Sequence, residues 1–166
     1  IDTLGFEDLT NQVRGHGIER GRTTPRELER RYGAKPFELN NYSEPVILFF
    51  ISKTYSPTLD HIELYDSVRQ FWKVGSFART IDPSTGKLPY KWAVGVVDSV
   101  AVAVYSIEAW MPAHSTVSTR DGNNAEGKWE FVGQEQIDHE LQGRLLTLQG
   151  NRITATQIGF TYINPV

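Results

Sequence analysis

The chain has 166 residues, 39% of them hydrophobic and 22% charged, and its formal net charge at pH 7 is −3. This length and composition are typical of one globular domain with its own core, and the net negative charge argues against a protein that coats nucleic acid indiscriminately. The sequence contains no cysteine, which excludes disulfide bonds, thiolate zinc sites and cysteine nucleophiles.

The first predicted segment, residues 1–44, is a helical preface. Thr24 suits a helix cap, Pro25 suits the first helical position, and Glu27 completes a capping box. These residues predict a helix over residues 25–32.

The preface is also rich in arginine. Residues 14–35 hold seven of the 17 cations of the chain but only three of its 20 acids. A basic segment on an acidic body could contact phosphates locally, whereas a solvated helix face with internal Glu–Arg pairs explains the same charges. Both interpretations stay open.

The second predicted segment, residues 45–166, is a barrel-like domain. Strands are predicted at residues 46–51, 92–97, 100–107, 128–132 and 158–163, and further helices at 59–72 and 134–143. The run 46–51 is continuously apolar and predicts a strand buried on both faces. Residues 112–127 are rich in Ser, Thr, Asn and Gly and predict a mobile loop of functional length.

The connections decide the fold class. Only Asp98 and Ser99 separate the strands 92–97 and 100–107, which is far too short for a crossover between parallel strands and predicts a hairpin. Helices before, between and after the strands predict an α+β fold. We expect a small mixed β-barrel or strongly curved sheet with flanking helices, in preference to a doubly wound parallel sheet.

The longest apolar runs, residues 46–51 and 100–105, are far shorter than the ~20 residues of a membrane span. The first residues are mixed and acidic and do not resemble a signal peptide. We therefore expect a cytoplasmic protein that has no membrane partner.

Metal-dependent nucleic-acid cleavage is the enzymatic alternative. Asp121 and Glu126 are carboxylates that Mg²⁺ could use, and Lys128 could stabilise the charge of a phosphate. These residues surround the glycine- and asparagine-containing stretch 122–124, whereas a metal site is expected on firm strands. The histidines lack the one-turn spacing of a zinc-binding helix, so the first hypothesis includes no metal and no cofactor.

Aromatic residues supply the candidate binding site. Large rings are core residues by default. Several tryptophans, however, lie beside prolines, polar loops or charges, and this placement suits rings at the mouth of a pocket. There they could stack on a base while an arginine supplies a planar fork of donors. The predicted pocket consists of Tyr65, Arg69, Trp72, Trp110 and Trp129.

Four motifs resemble those of a bacterial protein family. They are Leu-Tyr-x-x-x-Arg-x-x-Trp at residues 64–72, Val-Tyr-x-Ile-x-x-Trp-x-Pro at 104–112, Trp-Glu-Phe-x-Gly at 129–133 and Tyr-x-Asn at 162–164. The match extends from Val46 to the C-terminus. In two respects the chain differs from the pattern: Asp98-Ser99 replaces an expected glycine turn, and the arginine-rich residues 14–31 lie outside the match.

The pattern is similar to the pseudouridine-synthase-and-archaeosine-transglycosylase (PUA)-like superfamily, whose EVE- and SRA-type members include modified-base readers. This resemblance implies a small barrel that holds a base or a modified nucleotide in an aromatic-lined pocket.

We therefore expect a non-enzymatic module that binds DNA or RNA, with selectivity from the pocket and affinity from phosphate contacts. The predicted phosphate contacts are Arg20, Arg22, Arg26, Arg30 and Arg31. Two alternatives stay open: the Mg²⁺-dependent nuclease, and a protein-interaction or defence-accessory domain that binds a partner or a second copy of the chain.

Overall fold

The computed structural model describes residues 33–122 and 124–164. The strands are β1 (Pro36–Glu38), β2 (Val46–Phe50), β3 (Trp92–Val97), β4 (Val100–Ser106), β5 (Ala109–Pro112), β6 (Trp129–Val132), β7 (Leu145–Leu148), β8 (Asn151–Arg152) and β9 (Phe160–Ile163). The helices in these ranges are a 3₁₀ turn (Leu39–Asn41), α1 (His61–Arg69) and α2 (Ser76–Arg79). The predicted helix at 25–32 and the five predicted phosphate-contacting arginines lie outside the described residues.

Seven of the strands form one strongly curled sheet, a half-barrel, in the order β1-β7-β4-β3-β2-β9, with β8 attached to β7. The pairs β1–β7 and β2–β3 are parallel, and the other pairs are antiparallel. Strands β5 and β6 form a separate antiparallel ribbon. A mixed α+β fold with a strongly curved sheet is therefore confirmed.

The central strand β2 is buried on both faces, as its apolar run predicts. Ile47 and Phe49 enter one hydrophobic core, and Val46 and Leu48 enter the other. The first of these cores also holds Val68 of α1, so the helix lies over this face of the sheet. This core, between α1, the sheet and the β5–β6 ribbon, positions the candidate site.

The β3–β4 hairpin is confirmed, and its turn accounts for the missing glycine. Asp98 and Ser99 both adopt positive φ angles, 50° and 70°. A two-residue turn with both central residues in this region matches the right-handed twist of the flanking strands. Glycine is needed instead at Gly95, where an added Cβ would lie 2.6 Å from Val68. Because Gly95 has no side chain, α1 can approach the sheet.

The helix predicted over residues 134–143 is wrong, because this segment consists of turns. Its internal backbone bonds close only single turns, such as His139 N to Gln136 O. Other backbone bonds join it to β4: Ser106 N donates to Gln134 O, Gln136 N donates to Val104 O, and Gly143 N donates to Ala101 O. The predicted helix over residues 59–72 is present but shorter, since Asp60 caps α1 and the helix ends at Arg69.

The predicted domain boundary at residues 44/45 falls after β1, which is already paired with β7. The compact unit to which β1 belongs begins at Ala34. Within the described ranges, no helix combines the length and apolarity that a bilayer crossing requires.

Gly133 gives a test of this packing. A Cβ at this position would lie 1.6 Å from the backbone oxygen of Ser106, so an alanine requires the chain to shift. We expect Gly133→Ala to lower the free energy of unfolding by about 1–3 kcal/mol, as overpacking usually does. Gly75→Ala is the control, because the three atoms nearest to its added Cβ all belong to the Phe77 ring, and Phe77 is 56% exposed and can rotate away. Equal losses in urea unfolding of the two variants would contradict the prediction.

Candidate functional site

Arg69, the predicted pocket arginine, is buried and makes its contacts within the protein. It is 3% exposed, and its Nε donates to Asp66 Oδ1 over 2.8 Å. Nη1 donates to Thr116 Oγ1 over 2.8 Å and lies 3.5 Å from Glu130 Oε2. Nη2 donates to the backbone oxygen of Val117 over 3.0 Å. The guanidinium therefore holds a loop to helix α1 in this structure.

Glu130 is the acidic counterpart of Arg69, and it is fully buried on strand β6. It accepts backbone hydrogen bonds from His114 and Thr116, each over 3.0 Å. The Thr116 hydroxyl also donates to Glu130, and Gln70 Nε2 donates over 3.3 Å. A buried carboxylate is tolerated only when it is paired and hydrogen-bonded, and these contacts supply both.

The remainder of the loop is attached to α1 in the same way. We call residues 113–122 the clamp loop. Thr119 donates to Asp66 Oδ2 from both its backbone nitrogen and its hydroxyl. Ser118 donates to the Gln70 side chain over 2.6 Å, and Arg120 donates to the Gln70 backbone oxygen. The sequence predicts a mobile loop here, whereas the structure shows serine and threonine hydroxyls bonded to buried polar groups.

Among the predicted pocket rings, Tyr65, Trp72 and Trp110 pack against the first core. The Tyr65 hydroxyl accepts from the Gly133 backbone over 2.9 Å, and the Trp72 indole donates to the Val68 backbone over 2.8 Å. The Trp110 indole nitrogen is buried and has no hydrogen-bond partner. These rings close the core beneath the β5–β6 ribbon.

Trp129, the fifth predicted pocket residue, carries a stacked arginine. The guanidinium carbon of Arg79 lies 3.6 Å from the centre of the Trp129 ring, and both residues are half-buried. Arg79 Nε also donates to the Val74 backbone oxygen over 3.0 Å, which fixes the guanidinium in place. Tryptophan is the aromatic side chain that attracts cations most strongly.

Two lysines are sequence neighbours of the bridged pair Trp72 and Trp129. Trp72 and Trp129 form an antiparallel bridge with backbone hydrogen bonds in both directions, at 2.9 and 2.8 Å. Lys73 and Lys128 are the next residues on the two bridged segments. Lys73 is exposed and Lys128 is half-buried.

A second cation–ring contact lies on the same bridged segment, one residue before Trp72. The Arg120 guanidinium lies 5.4 Å from the centre of the Phe71 ring. The centre of the His114 ring lies 5.2 Å from the centre of the same Phe71 ring. Burial lowers the pKa of Arg120 from its usual value. A guanidinium nevertheless keeps its charge at any physiological pH.

We refer to the residues of these contacts and the two lysines as the basic aromatic patch. Its members are Phe71, Lys73, Arg79, Arg120, Lys128 and Trp129. The sequence interpretation found Trp129 and assigned Lys128 to a nuclease, but it missed Phe71, Lys73, Arg79 and Arg120. Arginines and lysines at scattered positions carry no periodic signal that would group them before the Trp72–Trp129 pairing is known.

The residues of the nuclease alternative are near this patch. Asp121 and Glu126 are exposed on either side of residues 122–124, and Lys128 immediately precedes β6. In the parts of the chain that the structure describes, no three His, Asp or Glu side chains are arranged to hold a metal ion.

A cleft of about 310 Å³ lies elsewhere, between the segment that follows α2 and the end of β4. Its walls include the apolar side chains of Ile81 and Leu88 and the cations Lys87 and Lys91. None of the five predicted pocket residues lines it.

Searches against protein-family models, curated proteins and solved structures gave no match to this chain. The family resemblance and the PUA-like relationship therefore stay predictions.

Proposed function

We propose that this protein is a non-enzymatic nucleic-acid-binding module of PUA-like form that contacts a strand through the basic aromatic patch. The observation that carries the proposal is the Arg79–Trp129 stack at 3.6 Å, and Lys73 and Lys128 are the sequence neighbours of the bridged Trp72 and Trp129. Unstacked bases pack on aromatic rings and on guanidinium planes, and lysines neutralise the neighbouring phosphates. The stack thus offers a flat platform, and the lysines next to it on the two bridged segments carry charges of the correct sign.

The charge distribution supports local rather than general binding. The patch contributes four cations, although the whole chain has a net charge of −3. Each phosphate neutralised on a single strand contributes about −0.7 to the slope of log affinity against log salt. If all four cations contact phosphates, we expect a slope of roughly −3, which the N-terminal arginines would steepen.

The proposal changes the roles of the predicted pocket residues. Arg79 lies on the Trp129 ring, and the two together form the surface on which the ligand stacks. Arg69 holds the clamp loop and does not contact a base. Selectivity for a modified base is the finer part of the proposal, and the motif resemblance supports it. Arg20, Arg22, Arg26, Arg30 and Arg31 remain the proposed additional phosphate contacts.

Trp129→Ala is expected to weaken oligonucleotide binding about 5- to 150-fold, because stacking contributes about 1–3 kcal/mol per base. Arg79→Ala should weaken it in the same direction. The measurement is fluorescence anisotropy with labelled single-stranded DNA and RNA, with plain and modified bases, at several salt concentrations.

The matched control is Trp92→Ala. Trp92 is also half-buried and has a lysine, Lys91, 4.7 Å from its ring centre, but it lies outside the patch. Its replacement should leave affinity within about twofold of the unmodified protein. No binding by the unmodified protein at low salt, or equal losses in both tryptophan variants, would contradict the proposal.

A further inference from the structure

Val117 is the most exposed large apolar side chain in the described ranges, at 96%. A single exposed valine is ordinary on a protein surface. The unusual feature is its support. The Val117 backbone oxygen accepts from buried Arg69, and the residues on either side, Thr116 and Ser118, bond to buried Glu130 and Gln70.

These hydrogen bonds hold the loop in place. They also cost free energy, because they place charged groups in the interior. Asp66, Arg69 and Glu130 are each at most 3% exposed. Burying an ion pair gains little or no stability compared with an apolar core, so stability alone does not explain the arrangement. Its result is a fixed loop backbone from which one aliphatic side chain projects into solvent.

We propose that Val117 is an apolar wedge that enters between stacked base pairs when the basic aromatic patch binds a duplex. This inference rests on the proposed function. Proteins that open or bend a duplex insert apolar side chains at a base step and hold the flanking backbone with cations. Arg120 lies three residues after Val117 in the same clamp loop, and its guanidinium contacts Phe71 of the patch.

The clamp-loop network has a defined role in this proposal. Separating stacked bases costs free energy, and a wedge on a freely moving loop would fold aside instead of entering the step. Arg69 and Glu130 are then positioning residues, since they fix the backbone on which Val117 is carried. Pre-organisation of this kind avoids the entropy cost of ordering the loop during binding.

The test compares Val117→Ser with the unmodified protein on one oligonucleotide sequence, as a single strand and as a duplex with a central 2-aminopurine. The unmodified protein should bind both and raise the 2-aminopurine fluorescence of the duplex as the base unstacks. Val117→Ser should keep single-strand affinity within twofold, bind the duplex at least fivefold more weakly and lose the fluorescence increase. Val117→Leu should retain all three properties.

Ile137→Ser is the matched control, because Ile137 is 68% exposed and lies outside the clamp loop. It should behave like the unmodified protein, and all variants should show unchanged thermal unfolding. Unchanged duplex affinity and fluorescence in Val117→Ser would overturn the wedge while leaving the proposed function intact. Single-strand binding without duplex binding by the unmodified protein would also overturn the wedge and leave the proposed function intact. Binding to neither would overturn both proposals.

Discussion

Glu130→Ala is expected to lower the free energy of unfolding by about 3–5 kcal/mol, because it removes one partner from a buried ionic network. Arg69 would remain buried beside the vacancy, and the backbone nitrogens of His114 and Thr116 would lose their acceptor. Urea unfolding followed by tryptophan fluorescence measures the loss. Glu126→Ala, at an exposed position, should change stability by less than about 0.5 kcal/mol.

Glu130→Gln separates charge from shape at the same site. The amide keeps one acceptor oxygen for the clamp loop but no longer balances the Arg69 charge. We therefore expect Glu130→Gln to lower the free energy of unfolding, but by less than Glu130→Ala does. If Glu130→Ala unfolds at the same urea concentration as Glu126→Ala, the buried network described above is wrong.

The second large effect is expected for Phe131→Ala, at about 3–5 kcal/mol, the usual cost of deleting a fully buried aromatic ring. Phe131 has no exposed surface. Its ring lies 5.4 Å from that of Trp110 and 6.0 Å from that of Phe49, so it joins the β5–β6 ribbon to the sheet. The same urea titration measures the effect.

Phe77→Ala provides the comparison for Phe131→Ala. Phe77 also contacts other aromatic rings, with Tyr162 at 5.0 Å, but it is 56% exposed. Its loss should cost clearly less, because less apolar surface is removed from the interior. Similar costs for the two substitutions would show that the ribbon is not held by this core.

The central part of the fold could be predicted from local sequence. The apolar run of β2, the hairpin β3–β4 and the capped helix α1 each carry a pattern in consecutive residues. The strands β1, β5, β7 and β8 were not predicted, because each has at most four residues. Strands β6 and β9 are as short, but the predicted runs that contain them, residues 128–132 and 158–163, are longer. Residues 134–143 have helical composition, but they form short turns and several of their backbone bonds join β4, which only the tertiary structure determines.

The site was predictable in chemical type but not in arrangement. An arginine four residues after Tyr65 has the same sequence signature whether it faces a pocket or the interior. Its burial depends on Thr116 and Glu130, which are distant in sequence. The serine and threonine content of the clamp loop, typical of mobile segments, instead supplies the hydroxyls that satisfy Asp66 and Gln70.

The sheet order has a consequence for synthesis on the ribosome. Strand β2 lies between β3 and β9, and Val46 pairs with Ile163, near the other end of the described chain. Strand β1 likewise pairs with β7, which is synthesised much later. Nascent chains must therefore keep the apolar β2 without one neighbour until β9 has emerged from the ribosome. We expect slow completion of the sheet and a need for chaperone protection during that interval.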